Sequence, residues 1–102
     1  MVALHNMDGL FWTPSEVTWR SRRGLLELDL ILIPYCRECY SDLSVAQQKD
    51  YQWLLQQTDM DLQKWLLWRR DLDSLSLLQQ AALQRVWDYV QDKLALENAT
   101  FS

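Results

Sequence analysis

The hydrophobic positions of this chain recur mostly at helical spacing. Tyr51, Leu54 and Leu55 share one stripe, and Leu62, Trp65 and Leu66 share another. Leu83, Trp87, Val90 and Leu94 form a third line, with Leu78, Ala82 and Val86 beside it. Intervals of three and four residues place such positions on one face of an α-helix, which must then be buried against another element. Boundary signals divide the pattern. Pro14 suits the first turn of a helix, where its missing N–H costs nothing, and Glu16 complements the positive end of the helix dipole. This first helix is expected to run to about Arg23. Gly24 is then free to take the left-handed conformation that closes a helix.

A second helix is expected to reach about Tyr40. Its middle, Leu28 to Ile33, is ambiguous by periodicity alone, because six apolar-rich residues stopped by Pro34 also fit a buried strand. No other strand-like run exists to pair with it, so a helix kinked at Pro34 is predicted. Ser44 and Gln47 form a capping box that opens a third helix. Asp59 is expected to cap a short fourth, with Asp61 in its first turn. A polar connection from Arg69 to Ser74 leads to the last helix. The expected fold is all-α, a compact five-helix bundle in a single domain over residues 14–96. An N-terminal extension (1–13) and a C-terminal tail (97–102) flank it. Trp12 and Phe11 are ordered in this reading if they find a groove.

Composition supports one core rather than two. The chain has 102 residues, 49% of them hydrophobic, with six tryptophans but only two glycines and two prolines, too few turn formers for a multi-stranded β fold. A net charge of −4 argues against nucleic acid as the main partner, since the arginines at 20, 22 and 23 make only a local patch. No run approaches the length of a membrane span, and no basic region followed by an apolar core marks a secretory signal. A cytoplasmic monomer without a membrane partner is therefore expected, and the sequon at Asn98 is expected to be silent.

The candidate chemistry gathers at one stretch, Trp19 to Glu27. In one reading Gly24 is a cap or turn residue, Glu27 favours the start of the second helix, and Arg20, Arg22 and Arg23 form a solvated face. In the other, Gly24 lacks a side chain so that a partner can approach the backbone. Arg23 and Glu27 then flank it with charge-assisted hydrogen bonds of opposite sign. The two are compatible. Cys36 and Cys39 have the spacing of redox and half-zinc sites, but no second cysteine pair exists and His5 is remote. They also fall late in a helix, away from the end that lowers a thiol pKa, so they are assigned to the core or its rim, with no metal site. The acids at 59, 61, 71 and 73 lack the glycine-bearing loop of a calcium site, and no catalytic residue is assigned. Trp19, Trp65 and Trp87 lie on apolar stripes and are expected in the core. Trp53 and Trp68 lie off them and are candidates for a self-association or partner surface.

The series Trp19-x-x-Arg22-Arg23-Gly24-x-x-Glu27-Leu28-Asp29, Pro34-Tyr35, Leu54-Leu55 and Asp59-x-Asp61-Leu62-x-x-Trp65-Leu66 resembles the succinate dehydrogenase flavinylation factors. That family comprises succinate dehydrogenase assembly factor 2 of mitochondria and the FAD assembly factor SdhE of bacteria. The resemblance covers about half the chain, Glu16 to Leu67. It implies a five-helix bundle that is not an enzyme. It implies binding to the flavoprotein subunit of succinate dehydrogenase and, in bacteria, of the related fumarate reductase. The factor would promote covalent attachment of FAD to a histidine of that subunit, holding no cofactor of its own; contact with FAD itself is left open. Arg23, Gly24 and Glu27, with Arg22 and Asp29, inherit the partner-binding role. The chain departs from the family at Glu16, where a basic residue is common, and after Leu66, where Trp68, Arg69 and Arg70 replace a glycine-bearing stretch. The cysteine pair and the N-terminal extension are not family features. A helical regulatory or antitoxin-like interaction module and a thiol-redox protein are the alternatives.

Overall fold

Thr13 starts the helical part of the chain. Its hydroxyl accepts a hydrogen bond from the Glu16 N–H (3.2 Å), and Pro14 follows at the first helical position. A computed structural model describes residues 12–101, with side chains as far as Leu96. The helices are α1 (Pro14–Arg20), α2 (Leu26–Cys39), α3 (Val45–Leu55), α4 (Asp59–Leu62) and α5 (Leu77–Phe101), and the described residues include no strand. His5, Phe11 and all but the last two residues of the expected extension lie outside the described residues. Trp12 does find a groove: it packs against the core and its N–H donates to Gln52 Oε1 at 3.2 Å.

The helical reading of residues 28–33 holds. Leu28, Leu32, Tyr35 and Cys36 are the buried positions of α2, spaced at four, three and one, while Leu26 and Leu30 face solvent. Pro34 sits inside α2 without ending it. Its missing N–H leaves the carbonyl of Leu30 without an intrahelical donor, at an exposed position of the helix where water can serve instead. The capping box of α3 is formed, with Ser44 Oγ accepting from the Gln47 N–H and Gln47 Oε1 from the Ser44 N–H (both 3.1 Å). An equivalent box at Ser76 and Gln79 opens α5.

Three boundaries differ from expectation. α1 ends at Arg20 rather than Arg23, because the Arg22 N–H bonds back only three residues to the Trp19 carbonyl (3.2 Å), tightening the last turn. Thr58, not Asp59, caps α4, its hydroxyl accepting from the Asp61 N–H at 3.1 Å. The last helix continues through Phe101, so residues 97–101 of the expected tail are helical. After α4 the chain widens into a π-helical stretch, Gln63–Leu67, in which the Trp68 N–H reaches five residues back to Gln63. This keeps Leu62, Trp65 and Leu66 on the core side, as their spacing predicts.

The core is one cluster to which every helix contributes. α5 lies against α2, α3 and the π-helical stretch through Ala82, Leu83 and Val86. Of the expected α5 line, Leu94 is exposed and Trp87 and Val90 are only half-buried, and Leu78 beside it is exposed. The buried side is centred on the 82–86 positions, and each step of one residue rotates a side chain by about 100°. Arg69 covers Trp87 from outside, its guanidinium 4.7 Å from the ring centre. Trp65 is buried and stacks on half-buried Trp53 at 5.8 Å, while Trp68 is exposed. Arg69 and Asp71 hold positive φ (54° and 58°) in the stretch after the π-helical turn. Non-glycine residues adopt that region at a cost of about 1 kcal/mol.

Tyr35 sits between Tyr51 (5.3 Å) and Tyr89 (5.6 Å, edge-on). Burial pushes its phenol from 10.0 up to about 12, and burial raises Tyr51 as well. A phenol whose folded pKa exceeds its unfolded one stabilises the fold fully below pH 10, and that contribution is lost as pH rises toward 12. Thermal melting should show this alkaline loss, with Tyr35→Phe weakening the pH dependence. In urea titrations at neutral pH, Leu83→Ala should cost about 2–5 kcal/mol, whereas Leu77→Ala, at an 82% exposed position, should change stability by less than about 0.5 kcal/mol. Asp71→Gly should stabilise by about 1 kcal/mol.

Candidate functional site

The corner between α1 and α2 is anchored from beneath. Ser21 is fully buried; its hydroxyl donates to the Val17 carbonyl at 2.9 Å and shares a 2.7 Å hydrogen bond with the Tyr51 hydroxyl of α3. A serine is small enough to end α1 flush against α3, and this pairing satisfies both buried hydroxyls. The chain then leaves helical conformation for Arg22 to Leu25, with Gly24 at φ +83°.

Arg23 turns inward. Its Nε donates to Asp59 Oδ1 at 2.8 Å, one Nη to the carbonyls of Leu55 (2.8 Å) and Arg20 (3.3 Å), and the other Nη to the carbonyl of Gln57 (2.7 Å). Only 14% of the side chain is exposed. One guanidinium thus ties the ends of α1 and α3, the loop after α3 and the start of α4. It takes up carbonyls that a helix end leaves without donors. Asp29, in the first turn of α2, reaches back to the backbone before its own helix. Its carboxylate accepts the Arg23 N–H at 2.6 Å and the Gly24 N–H at 3.2 and 3.3 Å. The backbone N-cap of α2 is Leu25, which has no side-chain acceptor; Asp29 instead fixes the two residues that lead into the helix.

Arg22, Gly24 and Glu27 face outward. A Cβ built on Gly24 would meet nothing within 4 Å, so its bare backbone fronts open space and only its φ demands glycine. The side chains of Glu27 and Arg22 make no hydrogen bond or ion pair among the described residues. Of the five residues expected at a partner surface, the structure therefore brings three to the surface and engages two, Arg23 and Asp29, in building it. Around the three lie Trp19 and Leu26, 74% and 69% exposed. Trp19 was expected in the core. On a seven-residue helix whose buried positions are Val17 and Ser21, however, a residue two steps after Val17 falls on the opposite side. Leu26 stands off the Leu28/Leu32 stripe in the same way. A shallow depression of about 240 Å³ separates Trp19 from Asp59, edged by Arg20, Arg22 and Arg23. Arg20 is directed elsewhere, its guanidinium 4.2 Å over the Trp12 ring.

The cysteines are free, Cys36 buried and Cys39 half-buried. Burial, with the carboxylates of Glu38 and Asp42 nearby, pushes the Cys39 thiol up, the opposite of what a thiolate nucleophile requires. Among the described residues no three His, Cys, Asp or Glu side chains gather as a metal site, and no helix is long and apolar enough to cross a membrane.

The profile of the family described as flavinator of succinate dehydrogenase matches residues 15–93. The chain belongs to that family. Among curated relatives, the FAD assembly factor SdhE of Pseudomonas savastanoi pv. phaseolicola is 37% identical over 79 residues, covering 78% of this chain and 92% of that protein. The FAD assembly factor SdhE of Vibrio cholerae serotype O1 is 35% identical over 63 residues, covering 62% of this chain and 73% of that protein. No solved structure matches. The matched region contains the five helices except Pro14 of α1 and the end of α5.

The division of labour at the corner separates stability from surface chemistry. Arg23→Ala should lower unfolding free energy by about 2–4 kcal/mol, because it leaves three carbonyls and the Asp59 carboxylate without their Arg23 donors. Glu27→Gln should leave stability within about 0.5 kcal/mol. Chemical denaturation of the two variants beside the parent chain checks both.

Proposed function

We propose that this chain is an assembly factor that binds the flavoprotein subunit of succinate dehydrogenase and promotes covalent attachment of FAD to it. Binding runs through the outward face of the corner. The reading rests on family membership, and one structural observation carries it to these residues: Gly24 is exposed, held at a positive φ by the Asp29 carboxylate, with no atom of its own chain above it. A glycine that fills no internal space and borders an unpaired glutamate suits close approach by another polypeptide backbone. Trp19 and Leu26 supply apolar contact area, and Arg22 and Glu27 supply charges of both signs; tryptophan and arginine are the side chains that most often anchor interfaces.

The chain contributes no reacting group in this mechanism. The flavoprotein's own histidine and bound flavin carry out the chemistry. The factor acts by binding preferentially the arrangement in which they meet, which raises the population of that arrangement. Arg23 and Asp29 serve by holding the corner in one shape before the partner arrives, so that little ordering remains to oppose association. The related fumarate reductase flavoprotein is a second client in this reading, and the factor works as a monomer in the cytoplasm. The thiol-redox alternative is disfavoured by the buried Cys36 and the raised Cys39 pKa. The antitoxin-like alternative has no structural feature in its favour.

In-gel flavin fluorescence of the dehydrogenase subunit, in cells with and without this protein, tests the proposal. Removing the gene should abolish most of the covalent flavin signal. Glu27→Arg should reproduce the loss at normal protein level, with co-purification of the subunit reduced at least about tenfold, as loss of a charged interface contact predicts. Unchanged covalent flavin without the protein would overturn the reading.

A further inference from the structure

The seam between α1 and α2 holds a second feature that the corner does not use. A groove of about 390 Å³ runs along it, with an apolar floor formed by Pro14, Ile33 and the edge of Cys36. Arg22 stands at its corner end and Arg37 farther along α2. Leu26 and Arg37 are eleven residues apart, roughly 16 Å along the helix axis. Neither arginine makes an ion pair among the described residues, although Arg37, after the Lys93 hydrogen bond, helps hold the neighbouring Glu38 carboxyl low, and no acid lines the groove. Glu38, next to Arg37 in the chain, is held instead by Lys93 at 2.9 Å on the α5 side of α2. Thr18 in the wall is already engaged, donating to the Pro14 carbonyl at 3.0 Å.

Two unpaired guanidinium groups over an apolar floor stand out in a chain of net charge −4. The arrangement constrains what can cover it. A purely apolar segment would bury two cations without counter-charge, which costs more than the apolar contact returns. A nucleic acid backbone would answer the arginines but not the floor, and would meet the repulsion of the whole chain. An acidic polypeptide segment with interspersed apolar side chains answers both, since arginine takes carboxylates in bidentate hydrogen bonds while its neighbours fill the floor.

We infer that the α1/α2 groove docks an acidic, apolar-containing segment of the flavoprotein partner, with Arg22 and Arg37 as its carboxylate clamps. Arg22 borders both the groove and the corner depression, so the two form one continuous surface. The inference rests on the flavoprotein reading above and extends the contact beyond the corner. It makes Arg37, outside the Arg-Gly-x-x-Glu stretch, a determinant of affinity and of salt dependence.

Site-specific photocross-linking separates the two claims. A p-benzoylphenylalanine is placed at Leu26 beside the corner or at Ser41 at the far end of the groove, in the full chain, and irradiated with purified flavoprotein subunit. Capture from both positions, with the Ser41 adduct mapping to a segment rich in Asp or Glu, supports the groove. Capture from position 26 alone overturns it and leaves the corner reading standing, and capture from neither overturns both. In binding titrations Arg37→Glu should weaken the complex about tenfold and flatten its dependence on salt, while Arg37→Lys, which keeps the charge but not the bidentate fork, should keep the salt dependence and recover only part of the affinity. Circular dichroism of each variant establishes that it is folded. Unchanged affinity and salt dependence in folded Arg37→Glu would also overturn the inference.

Discussion

The guanidinium of Arg23 is the contact on which the arrangement of α1, α3 and α4 depends. Short helices leave many backbone carbonyls without donors at their ends, and this bundle has several such ends close together. A lysine could supply one point charge. The planar fork of arginine supplies separate donors aimed in different directions, and here they reach Arg20, Leu55, Gln57 and Asp59 at once. Because the side chain is mostly buried, these bonds are less weakened by water and salt than a surface ion pair would be. The corner, the loop between α3 and α4, and the entry to α4 are set by one residue.

Around that tie the polar groups of the bundle are distributed economically. Ser21 and Tyr51 satisfy one another beneath the corner, and Gln52 bridges the Tyr40 hydroxyl and the Trp12 N–H, so the first described residue is bound to α3. Asp29 closes the start of α2 by gripping the backbone on which Gly24 sits. On the proposed partner surface, contact and shape would fall to different side chains: Arg23 and Asp29 hold the corner, and Arg22, Gly24 and Glu27 are left outward. The Arg-Gly-x-x-Glu stretch combines both tasks within five positions, one residue facing in and two facing out.

Elsewhere the chain tolerates strain in place of glycine. The stretch after the π-helical turn carries two left-handed residues, and one of them, Arg69, stacks on Trp87 and hydrogen-bonds Gln84 at 3.2 Å. Those contacts offset part of the backbone cost and shelter the Trp87 ring.

Much of the fold was legible in the residues alone. Capping at Ser44, the helical nature of residues 28–33, the stripes of α3 and α4, and the glycine break follow from local geometry, which acts over a few residues and leaves direct marks in the sequence. The corner stretch that holds the candidate site stood out too, because its glycine and charges are locally unusual. Three things were not. Trp19 reads as a core residue until the shortness of α1 is known, since an apolar residue on a helix declares a face but not whether another element covers it. The α5 stripe shifts by one residue for the same reason, as the direction from which α2 and α3 approach decides which side is buried. Arg23 and Glu27 look alike as charged corner residues, and only the arrival of Leu55, Gln57 and Asp59, more than thirty positions away, makes one a tie and leaves the other free. Local sequence thus determined the elements and the place of the site. Tertiary packing decided which of its charges are satisfied from within, and so which are available to a partner.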